Sequence, residues 1–171
     1  MKRRAFIAAI AATAALPHRS QGEARIRPPG ALPPGALEQA CIGCYRCAEV
    51  CPPRAIHFER ALPVIDTRDK ACTLCMKCPD VCPTGALVPL AREAVRMGEP
   101  VLDRKACLPW SGDGICRLCH QVCPYPDRAV ELVGPQAAPL FHPDACVGCG
   151  LCEESCPDTA RAIRIVPKAS R

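Results

Sequence analysis

Residues 41–52 read CIGCYRCAEVCP and residues 72–83 read CTLCMKCPDVCP, two copies of the pattern C-x2-C-x2-C-x3-C-P. Residues 146–157, CVGCGLCEESCP, repeat it again. A further set, Cys107, Cys116, Cys119 and Cys123, keeps the later spacings and the following Pro124 but stretches the first gap to eight residues, LPWSGDGI. The ligand candidates are therefore Cys41, Cys44, Cys47, Cys51, Cys72, Cys75, Cys78, Cys82, Cys107, Cys116, Cys119, Cys123, Cys146, Cys149, Cys152 and Cys156, which are all 16 cysteines of the chain.

Three thiolates two residues apart on a tightly coiled loop can reach three iron corners of one cubane, while the fourth, carried away after x3, points elsewhere. In two-cluster ferredoxins that fourth Cys ligates the other cluster, and the following Pro turns the chain out of the site. Each motif then implies a partner motif, and four motifs imply four [4Fe–4S] clusters. Two pairings use every Cys: neighbours (first with second, third with fourth) or nested (first with fourth, second with third). Disulfides are sterically poor between cysteines three apart on a tight loop. Zinc calls for paired knuckles or histidines at ligand spacing, and His18, His57, His120 and His142 show none.

Composition agrees that an inorganic core replaces part of the usual one. The 171 residues include 20 Pro but only 3 Phe, 2 Tyr and 1 Trp, too few aromatics to anchor an ordinary core of this size. The net charge of +5 is modest, and part of it lies in Lys2, Arg3, Arg4 and Arg19. With no basic stripe interleaved with aromatics, nucleic acid is not an expected partner.

The first residues, MKRRAFIAAIAATAAL, place three cations ahead of a twelve-residue apolar run that ends at Pro17. This is a signal-peptide layout, too short to span a bilayer. Arg3-Arg4 resembles the twin-arginine signal, used to export proteins already folded around cofactors. Residues 1–24 are assigned to that signal, and an uncleaved signal would leave a membrane tether. Arg27 to Leu37, RPPGALPPGAL, reads as an extended linker over residues 25–37. Motifs one and two then occupy 38–90, and motifs three and four 91–171.

Between motifs, short apolar runs break and return, as in Ala55–Phe58 with Val64-Ile65, and Ala129–Leu132 with Leu140-Phe141, which predicts β-hairpins. In the longer second linker the return run is Val101-Leu102, and Leu90–Met97 allows a helical turn or two before Gly98 and Pro100 end it. The expected fold class is α+β: tandem ferredoxin-like 2[4Fe–4S] modules with short hairpins and short helices after each fourth Cys.

The twin-arginine start, the four motifs, the stretched CLPWSGDGICRLCHQVCP, the RMGEPVLD before it and the FHPDACVGCGLCEESCP after it together resemble the periplasmic ferredoxin-type proteins of the NapG/MauM family. Two features depart from that pattern: the second motif is compact, and Tyr45 stands where Gly often follows the second Cys. The resemblance implies a periplasmic electron carrier. It would take electrons from a membrane-embedded, quinol-linked ferredoxin-type partner and deliver them to a periplasmic redox enzyme or cytochrome of the nitrate reductase or methylamine utilisation type. The alternative is the iron–sulfur subunit of a molybdopterin oxidoreductase complex.

No nucleophile–base constellation is present, and Gly112 and Gly114 lie inside the stretched cysteine loop, where a dinucleotide fold cannot form. The chain is expected to be a carrier without a substrate pocket, not an enzyme. Trp110 is read as packing rather than as part of a docking loop, His120 as a loop residue rather than a sulfur partner, and Tyr45 and Met76 as shields over their clusters.

Overall fold

The computed structural model describes residues 25–157 and 159–168. The expected signal segment, residues 1–24, lies outside these, and among the described residues no helix is long and apolar enough to cross a membrane. Along the chain run α1 (Ala36–Ala40), α2 (Arg46–Glu49), β1 (Ile56–Glu59), β2 (Leu62–Ile65), α3 (Lys77–Asp80), a 3-10 turn at Arg92–Ala94, and β3 (Gly98–Leu102). There follow α4 (Leu108–Ser111), α5 (Leu118–Gln121), β4 (Val130–Val133), β5 (Ala138–Phe141), α6 (Leu151–Glu154) and β6 (Ile163–Pro167). The result is α+β, made of one-turn helices and two-stranded antiparallel sheets.

Each compact motif coils in the same way. The residue before the second Cys and the residue after it both take left-handed backbone: Gly43 and Tyr45, Leu74 and Met76, Gly148 and Gly150. Two such reversals wrap the loop and deliver the third Cys into a single helical turn, so Cys47, Cys78 and Cys152 sit in α2, α3 and α6; in the stretched motif Cys119 sits likewise in α5, without the paired reversals. The helices therefore hold the third Cys and do not follow the fourth. The fourth Cys precedes a Pro in every motif, and a residue before Pro is pushed out of the helical region, so the turn stops there. In all four motifs its N–H donates to the carbonyl of the residue after the third Cys, at 3.2 Å.

Hairpins form in the first and third linkers, with Ile56 opposite Ile65 and Val130 opposite Phe141. The second linker differs from expectation. Its first apolar run pairs with the Pro-rich segment: Leu32 N–H donates to Ala86 O at 3.1 Å and Val88 N–H to Gly30 O at 2.8 Å. Its return run forms β3, which pairs with the distant β6 from Gly98↔Pro167 to Leu102↔Ile163. Gly98 and Pro100 thus lie within a strand, which a two-stranded sheet tolerates because Pro there can face the unpaired edge. Only one 3-10 turn precedes it.

Residues 25–37, expected as a linker outside the folded part, are packed against it. Ile26 and Leu37 are buried, as are Pro28 and Pro29, and Ile65 N–H donates to Ile26 O at 2.9 Å. Proline supplies apolar area without a donor to satisfy, so an extended Pro-rich strand can lie on a core at little polar cost. One apolar cluster then runs through both halves of the molecule, from Ile26, Ile56, Ile65 and Leu87 through Met97 to Val147 and Ile165. A smaller one gathers Cys119, Val130 and Ile163.

Candidate metal centre

The sixteen cysteines converge on four apolar cavities, each lined by one motif's first three thiols and the fourth thiol of its neighbour. Site 1 gathers Cys41, Cys44 and Cys47 with Cys82, and site 2 gathers Cys72, Cys75 and Cys78 with Cys51. Site 3 gathers Cys107, Cys116 and Cys119 with Cys156, and site 4 gathers Cys146, Cys149 and Cys152 with Cys123. Of the two pairings left open by spacing, the structure adopts neighbours. The helices α2 and α3 pack together, as do α5 and α6, and this exchange of fourth thiols follows from their contact.

The donor set is thiol only, which selects soft or thiophilic metals. Among the described residues no three Cys, His, Asp or Glu side chains close on a point that a single ion could occupy. Three thiols at x2 spacing joined by a fourth from the neighbouring motif, with no ion-sized point shared among them, fit a polynuclear core better than tetrahedral zinc, whose Zn–S bonds are only about 2.3 Å. No disulfide joins them: all sixteen are free. The residues thus fit [4Fe–4S] clusters.

Electrostatics points the same way. Burial first, and crowding by neighbouring thiols second, push Cys47 and Cys72 up to about 11 and Cys78, Cys119 and Cys149 up to about 12. Cys152 is driven well upward for the same reasons, and burial likewise raises Cys107, Cys123 and Cys146. Gathering four thiolates in an apolar hollow is unfavourable unless a cationic core compensates them. At Cys82 burial is outweighed by hydrogen bonds, from Leu87 N–H at 3.4 Å and from Thr84, and the thiol is lowered. Backbone amides also donate to sulfur from Leu74 to Cys72, Gly148 to Cys146 and Ala162 to Cys156, at 3.3–3.4 Å.

The sites lie in the order 1, 2, 4, 3. Cys47 of site 1 repels Cys78 of site 2, Cys72 of site 2 repels Cys149 of site 4, and Cys119 of site 3 repels Cys152 of site 4. Sites 2 and 4 are joined directly, with Cys72 N–H donating to Cys149 O at 2.8 Å. The two end sites carry exposed apolar residues, Ile42 and Tyr45 at site 1 and Ile115 and Leu118 at site 3.

Tyr45 lines site 1 and stacks on Phe58 at 4.1 Å between ring centroids, and Met76 lines site 2. His120 Nε2 pairs with Asp127 Oδ1 at 2.8 Å rather than with a sulfur. Trp110 belongs to α4, inserted by the stretched third motif; its indole N–H donates to Pro139 O at 2.9 Å while the Arg104 guanidinium lies 4.1 Å above the ring. Leu108 and Pro109, not Trp110, line site 3. Glu153 and Thr67, both buried and bonded to each other, carry no spacing or motif in the sequence that sets them apart.

Residues 40–86, which hold the thiols of sites 1 and 2, match the 4Fe-4S dicluster domain, and residues 139–161 match the 4Fe-4S binding domain. The methylamine utilization ferredoxin-type protein MauM of Methylorubrum extorquens is 35% identical over 95% of this chain and 82% of its own length. This chain belongs to the NapG/MauM family of ferredoxin-type proteins. The family's MauM of Paracoccus denitrificans is 36% identical over 84% of this chain and 71% of its own. The ferredoxin-type protein NapG of Haemophilus influenzae is 37% identical over 83% of this chain, which spans only 58% of that longer relative.

Proposed function

We propose that the chain is an electron carrier holding four [4Fe–4S] clusters, one in each site, with all sixteen cysteines as iron ligands. The observation that carries this reading is the reciprocal exchange of fourth thiols, which builds four apolar hollows with the same four-thiol donor set instead of separate knuckles. Each bound cluster would supply one-electron redox chemistry at a potential set by burial and amide hydrogen bonds to sulfur. The protein's part is to hold the thiols, exclude water with apolar walls, and aim backbone N–H groups at selected sulfurs.

The buried inner sites and the apolar-rimmed end sites support passage along the molecule between two partners. Membership of a family whose members are named for methylamine utilisation, together with the twin-arginine start, supports a periplasmic setting. The partners proposed are a membrane-embedded, quinol-linked ferredoxin-type protein as donor and a periplasmic redox enzyme or cytochrome as acceptor, in a nitrate reductase or methylamine system. Catalysis belongs to those partners. Anaerobically purified protein should contain about 16 iron and 16 acid-labile sulfide per chain and show interacting cubane signals when reduced. Iron near zero would end the electron-transfer reading.

A further inference from the structure

Glu153 is a buried carboxylate at the seam between the two halves. It follows the third Cys of site 4, a position held elsewhere by Ala48, Pro79 and His120, and its side chain is 5% exposed. One oxygen, Oε2, accepts from the Thr67 hydroxyl at 2.7 Å and from Ile165 N–H at 2.8 Å; the other lies 3.8 Å from Arg68 Nε. Thr67 and Arg68 precede the first Cys of site 2, and Ile165 belongs to β6. Next to it Glu154 accepts from Ala71 N–H at 3.3 Å. A carboxylate is costly to bury, and it stays because it satisfies donors from two separate segments; an apolar residue would leave Ile165 N–H and the Thr67 hydroxyl without acceptors.

The seam has no slack. A Cβ on Gly150 would overlap the Thr67 side chain, and one on Gly148 would overlap the Gly98 backbone. The Cys72–Cys149 backbone bond crosses at the same place. We propose that Glu153 is the positioning residue that locks site 2 against site 4, so that two separately built pairs of sites act as one line. The inference rests on the cluster-carrying reading, and concerns the separation of the inner sites rather than their chemistry.

The test uses the full-length, cluster-loaded protein and the variants T67V, E153A and E153Q. T67V removes one bond across the seam, Thr67–Glu153, and leaves the Glu153–Ile165 bond and the Cys72–Cys149 backbone bond. In E153Q the single amide oxygen can still accept both hydrogen bonds. Three quantities are read: iron per chain, the spin–spin splitting between clusters in the reduced protein, and hydrogen exchange of peptides containing Ala71, Cys72 and Met97. T67V and E153A should weaken the part of the splitting that arises between the clusters of sites 2 and 4, keep the splitting within each pair, and exchange faster in those peptides at unchanged iron, while E153Q behaves as the parent. If E153A does not load, T67V decides alone. Unaltered splitting and exchange in T67V, or E153Q behaving as E153A, overturns the proposal. A parent without iron overturns the carrier reading instead, and the exchange data then still judge the lock.

Discussion

Replacing Cys51 by Ala should abolish the site built on the next motif and leave its own motif's site intact. Cys51 lines the cavity of Cys72, Cys75 and Cys78, and its charge is felt by Cys72. Cys41, Cys44 and Cys47 instead take Cys82. A three-thiol site holds its cluster poorly, so C51A should fall from about 16 to about 12 iron per chain. The double variants carry the weight. If Cys51 and Cys75 serve one cluster, C51A/C75A also stays at about 12, whereas C51A/C44A removes two clusters and falls to about 8. Nested pairing would place Cys51 with the Cys146 triplet, giving about 8 for C51A/C75A and about 12 for C51A/C149A. Iron and sulfide analysis of anaerobically purified variants, with reduced spectra to identify which signal is lost, reads the outcome directly. A value near 8 for C51A/C75A would refute neighbour pairing.

The seam can be probed by two glycines with the same backbone but different surroundings. Gly150 and Gly112 have φ of 87° and 85°, yet a Cβ meets Thr67 at the first and open space at the second. G112A should cost only the left-handed penalty of about 1 kcal/mol, while G150A adds about 1–3 kcal/mol of overpacking; comparable melting temperatures would contradict the packing described. W110A should cost about 3 kcal/mol by releasing α4 from β5, with iron unchanged, and a loss of four irons would place Trp110 in site 3 instead. The thiols raised from 9.0 to about 11–12 bind protons more tightly in the folded chain than in the unfolded one. Their contribution to the stability of the iron-free protein is therefore complete below pH 9 and is lost as pH rises through about 11–12, while iron uptake releases protons and strengthens with pH. Denaturant melts and proton release on anaerobic loading check both signs.

The gathering of three thiols within each compact motif and the two hairpins were legible because they are local. Three thiols at x2 spacing must share a loop, and apolar runs such as Ile56–Phe58 and Val64-Ile65 are separated only by a tight turn at Arg60 and Ala61. What was not legible depends on contacts distant in sequence. Leu87 could have paired with β3, but the Pro-rich segment bridges it through Ala31, leaving β3 to the C-terminal β6. Nothing in the apolar pattern of residues 98–102 indicates which strand will satisfy it. The choice between neighbour and nested pairing was open for the same reason, since helix contacts decide it. Glu153 was the hardest to see: its burial follows from the approach of Thr67 and β6, which are distant in sequence, whereas Glu154 beside it has the same side chain.

The placement of the stretched motif follows from the order of the sites. An insertion between the first and second Cys enlarges the loop that, in site 4, runs through Val147 and Gly148 against Met97 and Gly98, with Met97 N–H donating to Val147 O at 3.1 Å. No residue larger than Gly fits at position 148, still less six more residues, so an insertion in motif four would separate the inner sites. In site 2 the equivalent loop begins at Cys72, whose backbone is bonded to Cys149. Site 3 stands at the end of the line, where its loop has no second module to meet. The insertion can fold outward as α4, stop at Gly112 in left-handed backbone, and brace itself on β5 through Trp110. Interruption of the repeat is thus confined to an end position, where it alters one cavity's walls and leaves the junction between modules untouched.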